Sequence, residues 1–338
     1  MADLFSTDVM LQVVTSLKRP PQFLLDRFFP NVSTEQTEEI HFDVESKARR
    51  VAPFVSPVVE GRVVASQGFT TKTFQPAYVK DKRVFDTARP LKRAIGEAIG
   101  GELTPENRVR RFLAQDLMDQ IEMVDRRLEI MAGEALRTGG VTVTGDGYPT
   151  QNVAFQRDAG LSVVLSGAAA WGQAGVKPLD DLQDWSQLVL QKSGAMPRDV
   201  VITVDVWKIF RADADVKDRL DLRRTTGELN LGARMDEGGT YMGNIDGYNI
   251  YVYAGWYVDD AGTEVPILPA ATVILSGTQV EGVRAFGAIR DHDAGFIAQP
   301  YFPKSWVEPD PSVRYLLLQS APLTVPFRVN ACLAATVL

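Results

Sequence analysis

Residues 104–138 set the length scale of this chain. Val109, Leu113, Leu117, Ile121, Val124, Leu128, Met131 and Ala135 step by four or three and make one apolar stripe on a helix. Thr104 stands at the N-cap with Pro105 at the first helical position, and Gly139-Gly140 marks the stop. At 1.5 Å per residue the helix is roughly 50 Å long, and its apolar stripe needs burial along that whole length. The remaining positions, Arg110, Arg111, Asp116, Asp119, Glu122, Asp125, Arg126, Arg127 and Glu129, read as a solvated charged face. The stripe covers too few heptads to favour a coiled coil.

The second constraint is residues 51–86, an extended, β-rich stretch with no helical period. Val58-Val59 and Val63-Val64-Ala65 form one strand-like run and Phe69–Phe74 another, with Ser66-Gln67-Gly68 as the turn between them. A two-stranded ribbon by itself is marginal in water, so this one is expected to lie on something else, and a chain built this way is suited to packing against copies of itself. Upstream, Ser6–Leu17 reads as a short helix, capped by Ser6 and ended by Pro20-Pro21. Phe23, Leu24, Leu25, Phe28 and Phe29 follow as a dense apolar cluster, which is either a core of its own domain or an arm buried on a neighbour.

Val141–Phe155 reads as a hairpin turning near Thr144–Gly147, and Pro178–Lys192 as a second helix with Asp180 and Asp181 in its first turn, where carboxylates suit the helix dipole. Val200–Val204 is a buried strand, after which Asp205 caps a helix to about Leu222. Residues 223–247 hold six glycines and read as a long loop. Strands are expected at Tyr248–Val258, Val265–Leu268, Thr272–Leu275, Val283–Ile289, Val313–Leu318 and Leu323–Val329. Helices and strands are interspersed without strict alternation, so the class is α+β.

Chemistry is sparse. Two histidines and one cysteine, Cys332, are too few for a zinc site of the usual spacing, and they allow no internal disulfide. The chain has no G-x-S-x-G elbow and no Gly-Lys dipeptide for a phosphate loop. Asp213 and Asp215 begin like a calcium loop, but Asp218 stands where glycine is needed. Asp291-His292-Asp293 is left as an exposed turn or, alternatively, the centre of a metal-dependent enzyme. The five tryptophans, at 171, 185, 207, 256 and 306, are scattered and read as core residues. A net charge of −7 is unlike a nucleic-acid binder and suits a container wall as well as an ordinary acidic protein. No apolar run is long enough to span a membrane, and the N-terminus lacks the pattern of a secretory signal. No cofactor is expected.

Several motifs carry a resemblance. "VSPVVEG", the Ser66–Gly68 turn and "FQPAYVK" (Phe74–Lys80) are similar to the major capsid proteins of lambda-type tailed phages, the capsid E family. "FLLDRFFP" (Phe23–Pro30), "YMGNIDGYNIYVY" (Tyr241–Tyr253) and "YFPKSWVEPDPSVRYLLLQSAPL" (Tyr301–Leu323) follow in the family's order. The resemblance implies a phage capsid (Hong Kong 97-type) fold. It divides the chain into an N-terminal arm (1–50), an extended β-hairpin loop (51–90), a peripheral domain (91–195) on spine helix 105–138, a mainly axial domain (196–310) and closing strands (311–338). It implies a head protein that assembles with itself, as pentamers and hexamers, into an icosahedral shell around double-stranded DNA held without sequence-specific binding. Assembly would occur in the host cytoplasm, with a scaffolding protein, a portal and a decoration protein as partners, and without a membrane. The contact candidates between subunits are Phe23, Leu24, Leu25, Phe28, Phe29, Val63, Gly68, Phe69, Phe74 and Tyr78. The same fold would also serve an encapsulin-type nanocompartment.

Overall fold

The computed structural model describes residues 5–17, 22–37, 39–45, 54, 69–74, 76, 78–85, 88–92, 97, 103–145, 147–225, 235–236, 238–310 and 313–338. The chain opens with α1 (Thr7–Ser16), α2 (Phe23–Phe28), β1 (Asn31–Thr34), β2 (Ile40–Glu45), β3 (Phe69–Phe74) and β4 (Val79–Phe85). The long helix α3 (Pro105–Thr138) follows, then the hairpin β5 (Gly140–Gly145) and β6 (Tyr148–Ala154), β7 (Ser162–Val164) and α4 (Pro178–Ser193). Next come β8 (Asp199–Thr203), α5 (Val204–Phe210), α6 (Ala214–Thr225), β9 (Met235–Asp236), β10 (Gly239–Ile245) and β11 (Tyr248–Tyr253). The last strands are β12 (Trp256–Val258), β13 (Glu264–Pro266), β14 (Thr272–Ser276), β15 (Gly282–Phe286), β16 (Phe302–Glu308), β17 (Val313–Ser320), β18 (Pro322–Pro326) and β19 (Leu333–Thr336). The mixture is α+β, as the interspersed pattern implies.

α3 begins and ends where its sequence signals lie. Thr104 Oγ1 accepts from Asn107 N at 3.3 Å, and Gly139 takes φ +72°, a left-handed stop that glycine reaches without strain. Arg157 closes the same end by donating to the carbonyls of Leu136 (2.6 Å) and Arg137 (2.5 Å). The helix serves two cores in series. Its first half sets Leu113, Leu117, Ile121 and Val124 against Met10 and Val14 of α1 and Leu316 and Leu318 of β17. Its second half sets Leu128, Met131, Ala132 and Ala135 against α2, Val201, Ile274 and Val325.

A seven-stranded sheet, β7-β19-β14-β8-β11-β10-β9, carries the rest of the interior. Its central strand β8 is buried at every position because both faces are covered. Val200 and Ile202 meet α4 and α5 through Leu179, Leu182, Val206 and Phe210, while Val201 faces the side of α2 and α3. Two smaller sheets, β1-β15-β18 and β16-β17-β4, lie along α3, and β2-β3, β5-β6 and β12-β13 are two-stranded.

The structure corrects several expectations. Three acidic positions on the supposedly solvated face of α3 are buried: Asp116, Asp125 and Glu129. Each has a partner that sequence spacing does not reveal. Arg89 pairs with Asp116 at 2.5 and 2.8 Å, Tyr301 donates to Asp125, and Glu129 is held by α2 as described below. The helix expected from Asp205 to Leu222 breaks at residues 211–213, because Asp213 Oδ1 accepts from Asp215 N and Val216 N and starts α6 afresh. The cap position of α5 is Thr203, not Asp205. Part of the glycine-rich stretch is strand β10. Trp171 and Trp185 stack in the core with centroids 5.8 Å apart, but Trp256 is 57% exposed. Strands β7, β16 and β19 lack a signal strong enough to expect from sequence.

Candidate assembly surfaces

Two features near the N-terminus differ in what they leave unpaired. The first is α2, only six residues long and without a capping side chain at Gln22. Its orphan amides are satisfied from another helix. Glu129 of α3 accepts from Leu24 N at 2.9 Å, from Leu25 N at 3.0 Å and from the Tyr253 hydroxyl at 2.9 Å. Leu24 and Leu25 occupy the second and third helical positions, whose N–H groups a local cap would normally take. Burial pushes the Glu129 carboxyl above its ordinary range, and the two amides and the tyrosine oppose that only in part.

The far end of α2 is tied as firmly. Arg284 donates to the Phe29 carbonyl at 2.7 Å and pairs with Asp26 at 2.6 Å. Arg27 makes a two-pronged contact with buried Asp199, at 2.7 and 2.9 Å, and lies over the Tyr251 ring. The socket needs two glycines. A Cβ on Gly239 would fall on the Phe23 ring, and one on Gly282 would fall on the Phe28 carbonyl oxygen and the Phe29 ring. Phe23, Leu24, Leu25, Phe28 and Phe29 are therefore all buried inside their own chain. In this conformation their side chains serve the subunit's core and present no apolar face to a neighbour.

The second feature is the ribbon. Phe69–Phe74 does pair in an antiparallel ribbon, but its partner is Ile40–Glu45, in the register Ile40↔Phe74 to Glu45↔Phe69. The strand expected at Val58–Ala65, with Val63, and the turn at Ser66–Gly68 lie outside the described residues. Among the described residues β2 and β3 pair with no other strand. The base of the ribbon is fixed: Ile40 is buried in the main core and Phe74 packs against it. One pair further out, His41 and Thr73 are exposed and joined through the His41 ring at 3.0 Å. Tyr78, at the start of β4, is anchored by donating to the Ala288 carbonyl at 2.6 Å and accepting from Arg290 N at 2.8 Å.

The Asp291–Asp293 turn is tied to two strands, β16 through Lys304 and β17 through Gln319. Against the cost of burial, Lys304 (2.9 Å) and Gln319 (2.9 Å) hold the Asp291 carboxyl below its ordinary value. Lys304 also reaches Asp293 at 2.7 Å, and His292 packs edge-on against Phe296. Among the described residues no group of three or more His, Cys, Asp or Glu side chains is placed to hold a metal ion. No described helix is long and apolar enough to cross a membrane.

Comparison with known proteins identifies the family. The family described as phage major capsid protein E matches residues 6–337. The chain belongs to that family. The chain is similar to the major capsid protein of Escherichia phage N15, 32% identical over 302 residues, and to that of Escherichia phage lambda, 31% identical over 302 residues. Each alignment covers 88% of this chain and 88% of the relative. Among solved structures, a prophage capsid protein of E. coli CFT073 superimposes with a TM-score of 0.77 at 21% identity, covering 98% of this chain and 99% of the other. The mature capsid of bacteriophage PhiM1 gives a TM-score of 0.51 at 12% identity, covering 90% and 85%. The fold is the Hong Kong 97-type capsid fold. As a member of the family, the chain is a structural protein of the phage head that self-assembles into a capsid shell, and is not an enzyme.

Proposed function

We propose that the chain assembles as pentamers and hexamers into an icosahedral shell that encloses double-stranded DNA. The observation that carries this reading is the ribbon β2–β3, whose strands pair with no other strand among the described residues, in a chain that matches a capsid family over residues 6–337. A two-stranded ribbon is barely stable in water, so its lasting partner is a neighbouring subunit. Head-to-tail contacts of this kind close into rings when the rotation is right. On this reading residues 91–195, built on α3, form the peripheral domain of the subunit, and residues 196–310 form mainly the axial domain near the capsomer axis. Val63, Gly68, Phe69, Phe74 and Tyr78 of the loop remain the contact candidates, while α2 acts by holding the loop's root. A scaffolding protein, a portal and a decoration protein complete the head, which is built in the host cytoplasm, and the net charge of −7 fits a wall that does not grip DNA sequence. Electron microscopy of the chain expressed by itself and with a scaffolding protein tests this. Closed particles with five-fold and six-fold capsomers are expected, and a monodisperse monomer across assembly conditions would overturn it.

A further inference from the structure

The sheet β1-β15-β18 ends at β1, and among the described residues no strand lies on its other side. An edge strand leaves a row of N–H and C=O groups unpaired, and proteins usually blunt such edges with charge, proline or a bulge. β1 has none of these: its sequence is Asn-Val-Ser-Thr, its register is unbroken, and Val32 is 57% exposed.

Cavities lie against both faces of the sheet at this edge. The register sets Asn31 beside Val283 and Ser33 beside Ala285 on one face, and Val32 beside Arg284 and Thr34 beside Phe286 on the other. Over the first face is a cavity of about 560 Å³, walled by Ile40, Val283, Val325 and Phe327, with Glu35 and Glu281 also lining it. Over the second is one of about 260 Å³, walled by Leu11, Val14, Leu128, Phe286 and Tyr301. Val32 lines both. Successive side chains of a strand point to opposite faces. A strand laid along the free edge of β1 would thus send alternate side chains into the two cavities.

We propose that β1 accepts a strand from a second copy of this chain, so that the sheet continues across the subunit boundary. This rests on the shell reading above, which brings copies together. Charge narrows the chemistry of the incoming strand. Glu281 is largely exposed and only weakly paired with Arg328, at 3.7 Å, so a strand that mixes small or apolar residues with bases fits best. The sequence between β2 and β3 holds such a run, Lys47-Ala48-Arg49-Arg50-Val51.

Hydrogen exchange of the full chain, dispersed and self-assembled, tests the proposal. The amides of residues 31–34 are expected to exchange at least about ten-fold more slowly after assembly. A lysine in place of Val32 blunts an edge without touching the core, so Val32→Lys should leave the subunit's unfolding midpoint unchanged, abolish the added protection and lower the yield of particles. Protection already present in dispersed subunits would mean that the chain covers this edge itself, and would overturn the proposal. So would unchanged exchange on assembly, or normal particles and protection in Val32→Lys. If the chain associates without closing shells, the shell reading fails while exchange in the associated form still decides the strand addition. A chain that stays monomeric overturns both.

Discussion

α2 and the ribbon β2–β3 are neighbours in sequence, both were candidates for contact with another subunit, and the subunit treats them in opposite ways. α2 has every end tied: its amides to Glu129, its last carbonyl to Arg284, its charges to Asp199 and Arg284, its rings against two glycines. The ribbon is fixed only at Ile40 and Phe74, and beyond that base its strands pair with each other. In this chain, apolar density marks a seat within the subunit: five large apolar residues in seven positions are used to hold a short helix in its own core.

The strongest way to break this contrast is at Glu129. Glu129→Ala strands two amides and a tyrosine hydroxyl in a buried place, each worth about 1–3 kcal/mol. A loss of about 3–5 kcal/mol in denaturant unfolding is expected, and a loss under about 1 kcal/mol would show that α2 is not held there. The pH dependence has a fixed sign. Because burial raises the Glu129 pKa in the folded state above its ordinary 4.5, its contribution is fully present below that value and is lost as pH rises through the folded pKa. Glu129→Gln should remove that slope from a plot of stability against pH.

The glycine socket comes next. Gly282→Ala places a methyl on the Phe28 carbonyl, a backbone atom, and on the fully buried Phe29 ring. A cost of about 1–3 kcal/mol is expected, as for other overpacked interiors. Calorimetry showing an unchanged unfolding midpoint would mean that α2 sits more loosely than its contacts imply.

Much of this was legible in the sequence, and the exceptions share a cause. α3 was readable to the residue, from Thr104 to Gly139, because caps and periodicity are local. The hairpin β5–β6, α4 and most strands from β11 onward were readable in kind for the same reason. Buried Asp116, Asp125 and Glu129 were not, since a carboxylate on a charged face looks solvated until Arg89, Tyr301 or α2 arrives from far along the chain. The pairing of Phe69–Phe74 with Ile40–Glu45 was not foreseen either, because the two runs lie far apart in the chain, while the run expected at Val58–Ala65 and its turn at Ser66–Gly68 lie outside the described residues. The Phe23–Phe29 cluster could be seen but not assigned, because burial at home and burial on a neighbour call for the same residues.

A smaller effect separates a structural turn from a reactive one. Asp291→Ala should cost about 1–2 kcal/mol through the lost contacts with Lys304 and Gln319, whereas His292→Ala should change stability by less than about 0.5 kcal/mol. Lys304 keeps Asp293 as a partner in the first variant, which limits the loss. Asp291 is depressed in the folded state, so its contribution is present above its ordinary value of 3.8 and lost as pH falls through the lower folded value. Equal losses for both variants would show that the turn depends on more than this ion pair.

A small effect on the subunit should also come from the largest cut. Replacing residues 41–73 with a short turn while keeping Ile40 and Phe74 leaves the anchored base, α2, α3 and both cores in place. Since a two-stranded ribbon adds little stability of its own, subunit stability should change by less than about 1 kcal/mol, read by denaturant unfolding of dispersed protein. Shell closure should nevertheless fail, read by electron microscopy, because on the proposed function the ribbon is the element that a neighbour completes. In intact protein the amides of β2 and β3 should exchange quickly when dispersed and slowly in shells. A large loss of subunit stability on removing the ribbon, with equal exchange protection in both states, would place the ribbon with α2 among the elements each subunit completes for itself. The contrast drawn between the two regions would then disappear.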